Sequence, residues 1–139
     1  MAVISSSAAE RVAENILSSN DEILSISVID RKGNIIASKS KEYFERTFAE
    51  GQELDKKYGG TLAIAALSVA NELKELVGEA KALITIYRDC KMMLLPIPSY
   101  EIMVGFVLPS SSNAEDYEIT NKIEGLFRDN NNTATTKPQ

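Results

Sequence analysis

A hairpin pattern near the start of the chain is the sequence feature that most restricts its fold. Apolar residues alternate with serines from Ile23 to Asp30, and this period of two is typical of a strand. The segment Asp30-Arg31-Lys32-Gly33-Asn34 predicts a type I turn with a bulge, because Gly33 can adopt the left-handed conformation. A second strand over Asn34–Ser38 completes the hairpin. Within the first strand, one face is predicted to carry Leu24, Ile26 and Val28 and the other Ser25 and Ser27.

Helices are predicted on either side of this hairpin. The first helix should run from Ser7 to Ser18, because Ser7-Ala8-Ala9-Glu10 forms a capping box and apolar residues follow at helical spacing. The longest helix should run from Thr61 to Val77 and end near Gly78. A second capping box at Ser112-Asn113-Ala114-Glu115 precedes a closing amphipathic helix. That helix is marked by Ile119, Ile123, Leu126 and Phe127.

The longest helix is apolar over an unusually wide arc. One stripe is predicted to face the core, and it consists of Leu62, Ala66, Val69, Leu73, Leu76 and Val77. A second flank consists of Ala63, Ile64, Leu67 and Ala70. Together they extend the arc to roughly 200°, about twice the width that a helix needs to cover a sheet. We therefore expect one side of this helix to pack inside the fold and the other to contact another molecule.

Three further strands follow in quick succession, at Ala82–Tyr87, Lys91–Leu95 and Glu101–Leu108. Their short connections predict an antiparallel meander. The expected fold is α+β, with a five-stranded antiparallel sheet flanked by helices in the order helix, two strands, helix, three strands, helix. Residues 1–128 should form this domain, and residues 129–139 a disordered polar tail with almost nothing to bury.

Composition excludes several kinds of chemistry. The 139 residues contain no His and a single Cys, so a His-based triad, a Cys/His zinc site and an intrachain disulfide are ruled out. We predict no catalytic residues, no metal and no cofactor. The net charge of −5 argues against nucleic-acid binding. The chain lacks a signal-peptide pattern and a stretch long enough for membrane insertion, which predicts a cytoplasmic protein.

Three features leave alternatives open. Cys90 lies in a predicted turn, where a nearby Lys would lower its pKa, although without His a plain turn cysteine is the favoured interpretation. Residues Lys41–Gly60 form either a solvated connection or a functional surface loop. The last feature is a set of methionines that either fill the core or line an adaptable pocket, namely Met92, Met93 and Met103.

The hairpin Ile26-Ser27-Val28-Ile29-Asp30-Arg31-Lys32-Gly33-Asn34-Ile35-Ile36-Ala37-Ser38, together with the order of elements, resembles the roadblock domain of the roadblock/longin superfamily. The resemblance covers about Ser7 to Phe127. In more detail, the chain is similar to short archaeal single-domain proteins. The resemblance implies a protein without enzymatic activity that scaffolds or regulates small Ras-like GTPases, or acts as a dynein light chain.

The resemblance also implies a homodimer in which the middle helix and the strand after it meet their copies. In this chain, the implied interface comprises Ala63, Ile64, Leu67 and Ala70 with Ala82, Leu83, Ile84, Thr85, Ile86 and Tyr87. The leading hypothesis is a non-catalytic homodimeric scaffold that regulates a small GTPase. One alternative is a small-molecule sensing domain with a pocket beside the sheet. Another is an enzyme that uses Cys90 or a carboxylate.

Overall fold

The structure, a computed structural model, describes residues 4–42, 64–65, 68–69, 71–97, 100–111 and 122–129. Three helices in that part of the chain are named here. Helix α1 spans Ser6–Ser19, α2 is helical at residues 64–65, 68–69 and 71–77, and α3 spans residues 122–129. The strands are β1 (Ser25–Asp30), β2 (Ile35–Ser40), β3 (Leu83–Ile86), β4 (Cys90–Ile97) and β5 (Ile102–Pro109).

The strands form one five-stranded sheet in the order β2-β1-β5-β4-β3, and every neighbouring pair is antiparallel. This confirms the predicted fold class and the predicted meander of the last three strands. Because the chain crosses from β2 at one edge to β3 at the other, α2 lies in the connection between the two edge strands. The same connection includes most of Lys41–Gly60, and its residues after Glu42 lie outside the described part.

The hairpin forms as predicted. Gly33 has a φ of 87°, and the β1–β2 register shifts between Val28 and Ile29, as a bulge requires. The Asp30 carboxylate accepts hydrogen bonds from the backbone N–H groups of Lys32 at 2.8 Å and Asn34 at 2.9 Å. It also accepts one from the Asn34 side-chain amide at 3.1 Å. The turn therefore ties its own backbone to one carboxylate.

One face of the sheet is covered by α1 and α3. The buried residues of α1 are Ala8, Ala9, Val12, Ala13 and Ile16. They share one core with side chains of β1, β4 and β5, including Ile26, Val28, Leu95, Val104 and Phe106. From α3, Ile123 and Phe127 are fully buried in that core, as predicted. The Phe127 ring lies against Tyr100, with ring centroids 6.1 Å apart.

Some boundaries differ from the predictions. The N-cap of α1 is Ser5, whose hydroxyl accepts a hydrogen bond from the Ala8 N–H at 3.1 Å, so the predicted cap at Ser7 is wrong. Pro96, which has no N–H to donate to a neighbouring strand, lies one residue before the end of β4. It is tolerated there because β3 pairs with β4 only as far as Leu94. The predicted cap at Ser112 and the chain after residue 129 lie outside the described residues.

Candidate functional site

Exposed apolar side chains concentrate in one stretch of the molecule. Among the described residues, every large hydrophobic side chain that is exposed lies between residues 69 and 87. We call these residues the α2–β3 surface, and they are Val69, Leu73, Leu76, Val77, Ile84, Ile86 and Tyr87. Exposed large apolar side chains are common at interaction surfaces, so these residues are candidates for one.

The α2 part of this surface is a helical stripe. Val69, Leu73 and Leu76 follow one another at i, i+4 and i+7 and therefore lie on one side of the helix. Leu76 and Val77 are 81% and 79% exposed. Indeed, every described residue from Ser68 to Glu79 is exposed. The prediction that Val69, Leu73, Leu76 and Val77 form a core stripe is therefore wrong in the single chain.

The flank of α2 that was predicted to form the interface is described only at Ile64, which is half-buried. Ala63, Leu67 and Ala70 lie outside the described residues. The end of the helix follows the prediction, because Gly78 has a φ of 89° and its N–H bonds the Lys74 carbonyl at 2.8 Å.

Strand β3 contributes the rest of the surface and forms an edge of the sheet. It pairs with β4 alone, so its outer backbone groups have no strand partner in the described part of the chain. Ile84 and Ile86 face the α1 side, because they lie opposite Met93 and Lys91. They are 42% and 73% exposed. Ala82 and Leu83 are half-buried, whereas the predicted interface residues from Ile84 to Tyr87 are all exposed.

A cleft of about 380 Å³ lies between α2 and the sheet. Its walls include Ala65 and Val69 from the helix and Leu83 and Tyr87 beside the edge. Its floor includes Ser25 and Ser27, which are buried and lie on the face opposite Ile26 and Val28, as the alternation predicted. The three methionines singled out in the sequence lie in three different environments. Met92 lines the cleft, whereas Met93 belongs to the main core and Met103 to a small cluster with Ile29.

Charged residues gather at a different end of the sheet. Arg31 in the hairpin turn donates to the Glu101 carboxylate at 2.6 Å, and Lys74 pairs with Glu79 at 3.1 Å. Both ion pairs line a second cleft of about 340 Å³. Glu101 adopts a φ of 54°, an uncommon value for a residue with a Cβ. The arrangement joins the hairpin turn to the β4–β5 turn.

The environment of Cys90 does not activate its thiol. Burial raises the pKa of Cys90, and the nearby Asp89 carboxylate raises it further. This direction is opposite to the lowering that a neighbouring Lys could produce, so it speaks against the alternative of an activated thiol. Cys90 is also the first residue of β4 rather than a turn residue. Among the described residues, no group of three or more His, Cys, Asp or Glu side chains could hold a metal ion.

Solved structures share this architecture over nearly the whole chain. MglB of Myxococcus xanthus matches with a TM-score of 0.65 at 10% identity, covering 96% of this chain and 92% of that one. The Roadblock/LC7 domain from Streptomyces avermitilis also gives 0.65, at 8% identity, covering 91% and 98%. The fold is that of a roadblock domain.

A third structure, the gliding protein MglB from Thermus thermophilus, matches the roadblock fold of this chain with a TM-score of 0.62 at 12% identity. It covers 95% of this chain and 96% of that one. No protein-family model matches the sequence, and no curated protein matches it significantly. The predicted resemblance to the roadblock fold is thus confirmed, and the similarity to archaeal proteins stays a prediction.

Within the described residues, none of the helices is long and apolar enough to cross a membrane.

Proposed function

We propose that this roadblock-fold chain is a non-catalytic, cytoplasmic homodimer that serves as an interaction platform and regulates a small Ras-like GTPase. The observation that carries the proposal is the concentration of exposed large hydrophobic side chains on α2 and β3. A monomer gains nothing from leaving these side chains in water, because each apolar side chain stabilises by about 1.5–3 kcal/mol when it is fully buried. A second copy of the chain offers the same surface.

A twofold axis beside β3 accounts for both parts of the surface. Antiparallel pairing of two β3 edges would satisfy the outer backbone groups and join the two sheets. The same axis would bring the two α2 stripes together, so that Leu73 and Leu76 of each chain could pack on their copies. One symmetry operation therefore covers a helix and a strand that the single chain leaves exposed.

The interface we propose is wider on α2 than the sequence indicated. To the strand residues from Ala82 to Tyr87 it adds four residues of α2, namely Val69, Leu73, Leu76 and Val77. All four helix residues are exposed, and so are four of the six strand residues. Ala63, Ile64, Leu67 and Ala70 remain predicted interface residues. Both groups lie on α2 and together cover a wide arc of its surface. In the proposed dimer, the second α2 helix and the neighbouring sheet edge would share this arc.

The GTPase part of the proposal rests on the roadblock fold. The resemblance implies proteins that scaffold or regulate small Ras-like GTPases, and two of the solved structures with this fold are MglB proteins, one of them titled a gliding protein. The acidic chain, with its net charge of −5, would favour a partner that presents a basic surface.

Sedimentation and light-scattering mass measurements on the wild type and Leu76→Asp test the homodimer. Leu76 is 81% exposed in the single chain, so the substitution is harmless to the fold. In a dimer it would bury an unpaired carboxylate and raise the dissociation constant by at least about thirtyfold. Ser68→Asp is the matched control, because it places the same charge on an exposed position of α2 away from the stripe.

The expected result is a wild-type dimer, a Leu76→Asp monomer and a Ser68→Asp dimer. A wild type that stays monomeric at millimolar concentration, or a dimer that Leu76→Asp leaves intact, would overturn the proposed interface.

A further inference from the structure

The cleft between α2 and the sheet has the size and lining of a small-molecule site. Its volume of about 380 Å³ lies within the range of about 300–1,000 Å³ that is common for ligand pockets. Apolar side chains such as Ile29, Leu94 and Val107 make up most of the lining. Val69 and the strand residues from Leu83 to Thr85 belong both to the cleft and to the proposed interface, whereas Leu73 and Leu76 do not line the cleft. The inference goes beyond the proposed homodimer because the described lining comes from a single chain.

The uncharged lining of the cleft favours an uncharged ligand. Among the described residues, no charged side chain lines the cleft. A carboxylate, phosphate or ammonium group placed there would lose its hydration without gaining an ionic partner, which costs several kcal/mol. An uncharged ligand does not meet this penalty. The second cleft, near Arg31 and Glu101, differs in this respect because two ion pairs line it.

The floor of the cleft provides a hydrogen-bond donor. The Ser27 hydroxyl is 6% exposed and lies 3.2 Å from the hydroxyl of Ser38, which is exposed. When Ser38 donates to Ser27, the proton of Ser27 is free for an acceptor in the cleft. Its neighbour Ser25 is already used, since it lies 2.9 Å from the Ser40 hydroxyl and donates to the Lys39 carbonyl.

We propose that the cleft between α2 and the sheet binds an uncharged, mainly apolar small molecule whose hydroxyl or carbonyl oxygen accepts a hydrogen bond from Ser27. Aliphatic alcohols, esters and amides belong to this class. The apolar part of the ligand would lie between the helix residues Ala65 and Val69 and the sheet residues Leu94 and Val107. Binding would therefore connect α2 to the sheet.

A dye-displacement titration on the full chain tests this site. The probe is N-phenyl-1-naphthylamine, an uncharged dye whose fluorescence rises when it leaves water, and the competitors are 1-decanol, decanoate and decyltrimethylammonium. We expect 1-decanol to displace the dye at a concentration about tenfold lower than either charged competitor requires. Equal displacement by decanoate would overturn the proposed ligand class.

Variants locate the bound dye. Ala65→Phe fills the cleft from an exposed helix position and should weaken dye binding about tenfold. The control Ser68→Phe adds the same ring at an exposed position that does not line the cleft, and it should change binding by no more than about twofold. Far-UV circular dichroism verifies that both variants are folded. Undiminished binding by Ala65→Phe would overturn the site.

Two further variants separate this site from the α2–β3 surface and test the donor. Leu76→Asp should leave dye binding unchanged, even where it abolishes the homodimer, because Leu76 does not line the cleft. Loss of dye binding in Leu76→Asp would place the dye on the stripe of Leu73 and Leu76, outside the cleft, and overturn the inference. Ser27→Ala should weaken 1-decanol about fivefold, by removing one hydrogen bond, and leave the dye unaffected. Equal 1-decanol binding by Ser27→Ala would overturn the role of Ser27.

Discussion

The two faces of the sheet differ in how completely their helices cover them. On one face, α1 buries Ala8, Ala9, Val12, Ala13 and Ile16 completely. On the other, every described residue of α2 from Ser68 to Val77 is exposed. Both helices are amphipathic, so amphipathic character alone does not place a helix in its own core. The α1 face is therefore buried within one chain, whereas the described part of α2 leaves its apolar side chains exposed, as the proposed homodimer requires.

Side-chain size helps to explain the α1 face. Three of its five buried residues are alanines, which let the helix axis approach the sheet so that Val12 and Ile16 reach the core. On α2, the side chains of Val69, Leu73, Leu76 and Val77 are larger and exposed, and a cleft of about 380 Å³ lies between the helix and the sheet. The stability of the fold should therefore come mainly from the α1 face.

The largest expected loss of stability is that of a substitution that leaves a cavity in the core on the α1 face. Phe127→Ala in α3 removes a fully buried ring from the main core, and we expect the free energy of unfolding to fall by about 3–5 kcal/mol. The matched change on the other face is Val77→Ala, where the side chain is 79% exposed, with an expected loss of no more than about 0.5 kcal/mol. Urea denaturation measures both.

Both substitutions are made in the Leu76→Asp variant, so that dimerisation does not contribute to either free energy of unfolding. Similar losses for Phe127→Ala and Val77→Ala would show that the two faces contribute equally, and the comparison would fail.

A smaller effect separates the two faces within a single strand. Ile26 and Ser27 are neighbours in β1 and point to opposite sides of the sheet. Ile26→Ala leaves a cavity in the main core and should cost about 3 kcal/mol. Ser27→Ala removes one hydroxyl pair with Ser38 and should cost about 1 kcal/mol. Thermal and urea unfolding should rank them in that order, and the reverse order would contradict the assignment of the faces.

Sequence periodicity predicted the elements that depend on local chemistry. The hairpin was predictable because Asp30 and Gly33 determine its turn without help from the rest of the chain. The end of α2 was predictable because Gly78 takes the left-handed conformation that ends a helix. The burial of Ile123 and Phe127 was predictable from helical spacing, since a closing helix has only one sheet to cover.

Features that depend on the rest of the fold were not predictable. Ser5, Ser6 and Ser7 are chemically equal caps, and the extended backbone at Ser5 decides among them. Nothing in the sequence of α2 distinguishes apolar residues that pack on the sheet from apolar residues that are left exposed. Hence the stripe containing Leu73 and Leu76 was assigned to the core although it is exposed. Likewise, nothing around Cys90 in the sequence reveals that burial raises the pKa of its thiol.

An effect of about the same size as that of Ser27→Ala is expected in the hairpin turn between β1 and β2. Burial alone would raise the pKa of Asp30, but hydrogen bonds from the backbone and side chain of Asn34 and from the Lys32 N–H outweigh it and lower the pKa. Asp30→Asn keeps one acceptor and loses the other with its charge, so we expect a loss of about 1 kcal/mol at pH 7. This loss should not vary with protein concentration, because the turn is outside the α2–β3 surface.

The pH dependence of that difference has a defined sign. A carboxyl whose pKa is lower in the folded chain than in the unfolded one stabilises the fold above its unfolded pKa of about 3.9, and the contribution is lost as the pH falls through the folded pKa. The difference between wild type and Asp30→Asn should therefore shrink as the pH falls from about 5 towards 2. Urea denaturation at a series of pH values measures it. A difference that grows on acidification would mean that Asp30 is not stabilised as a carboxylate, and that the turn is held by its glycine alone.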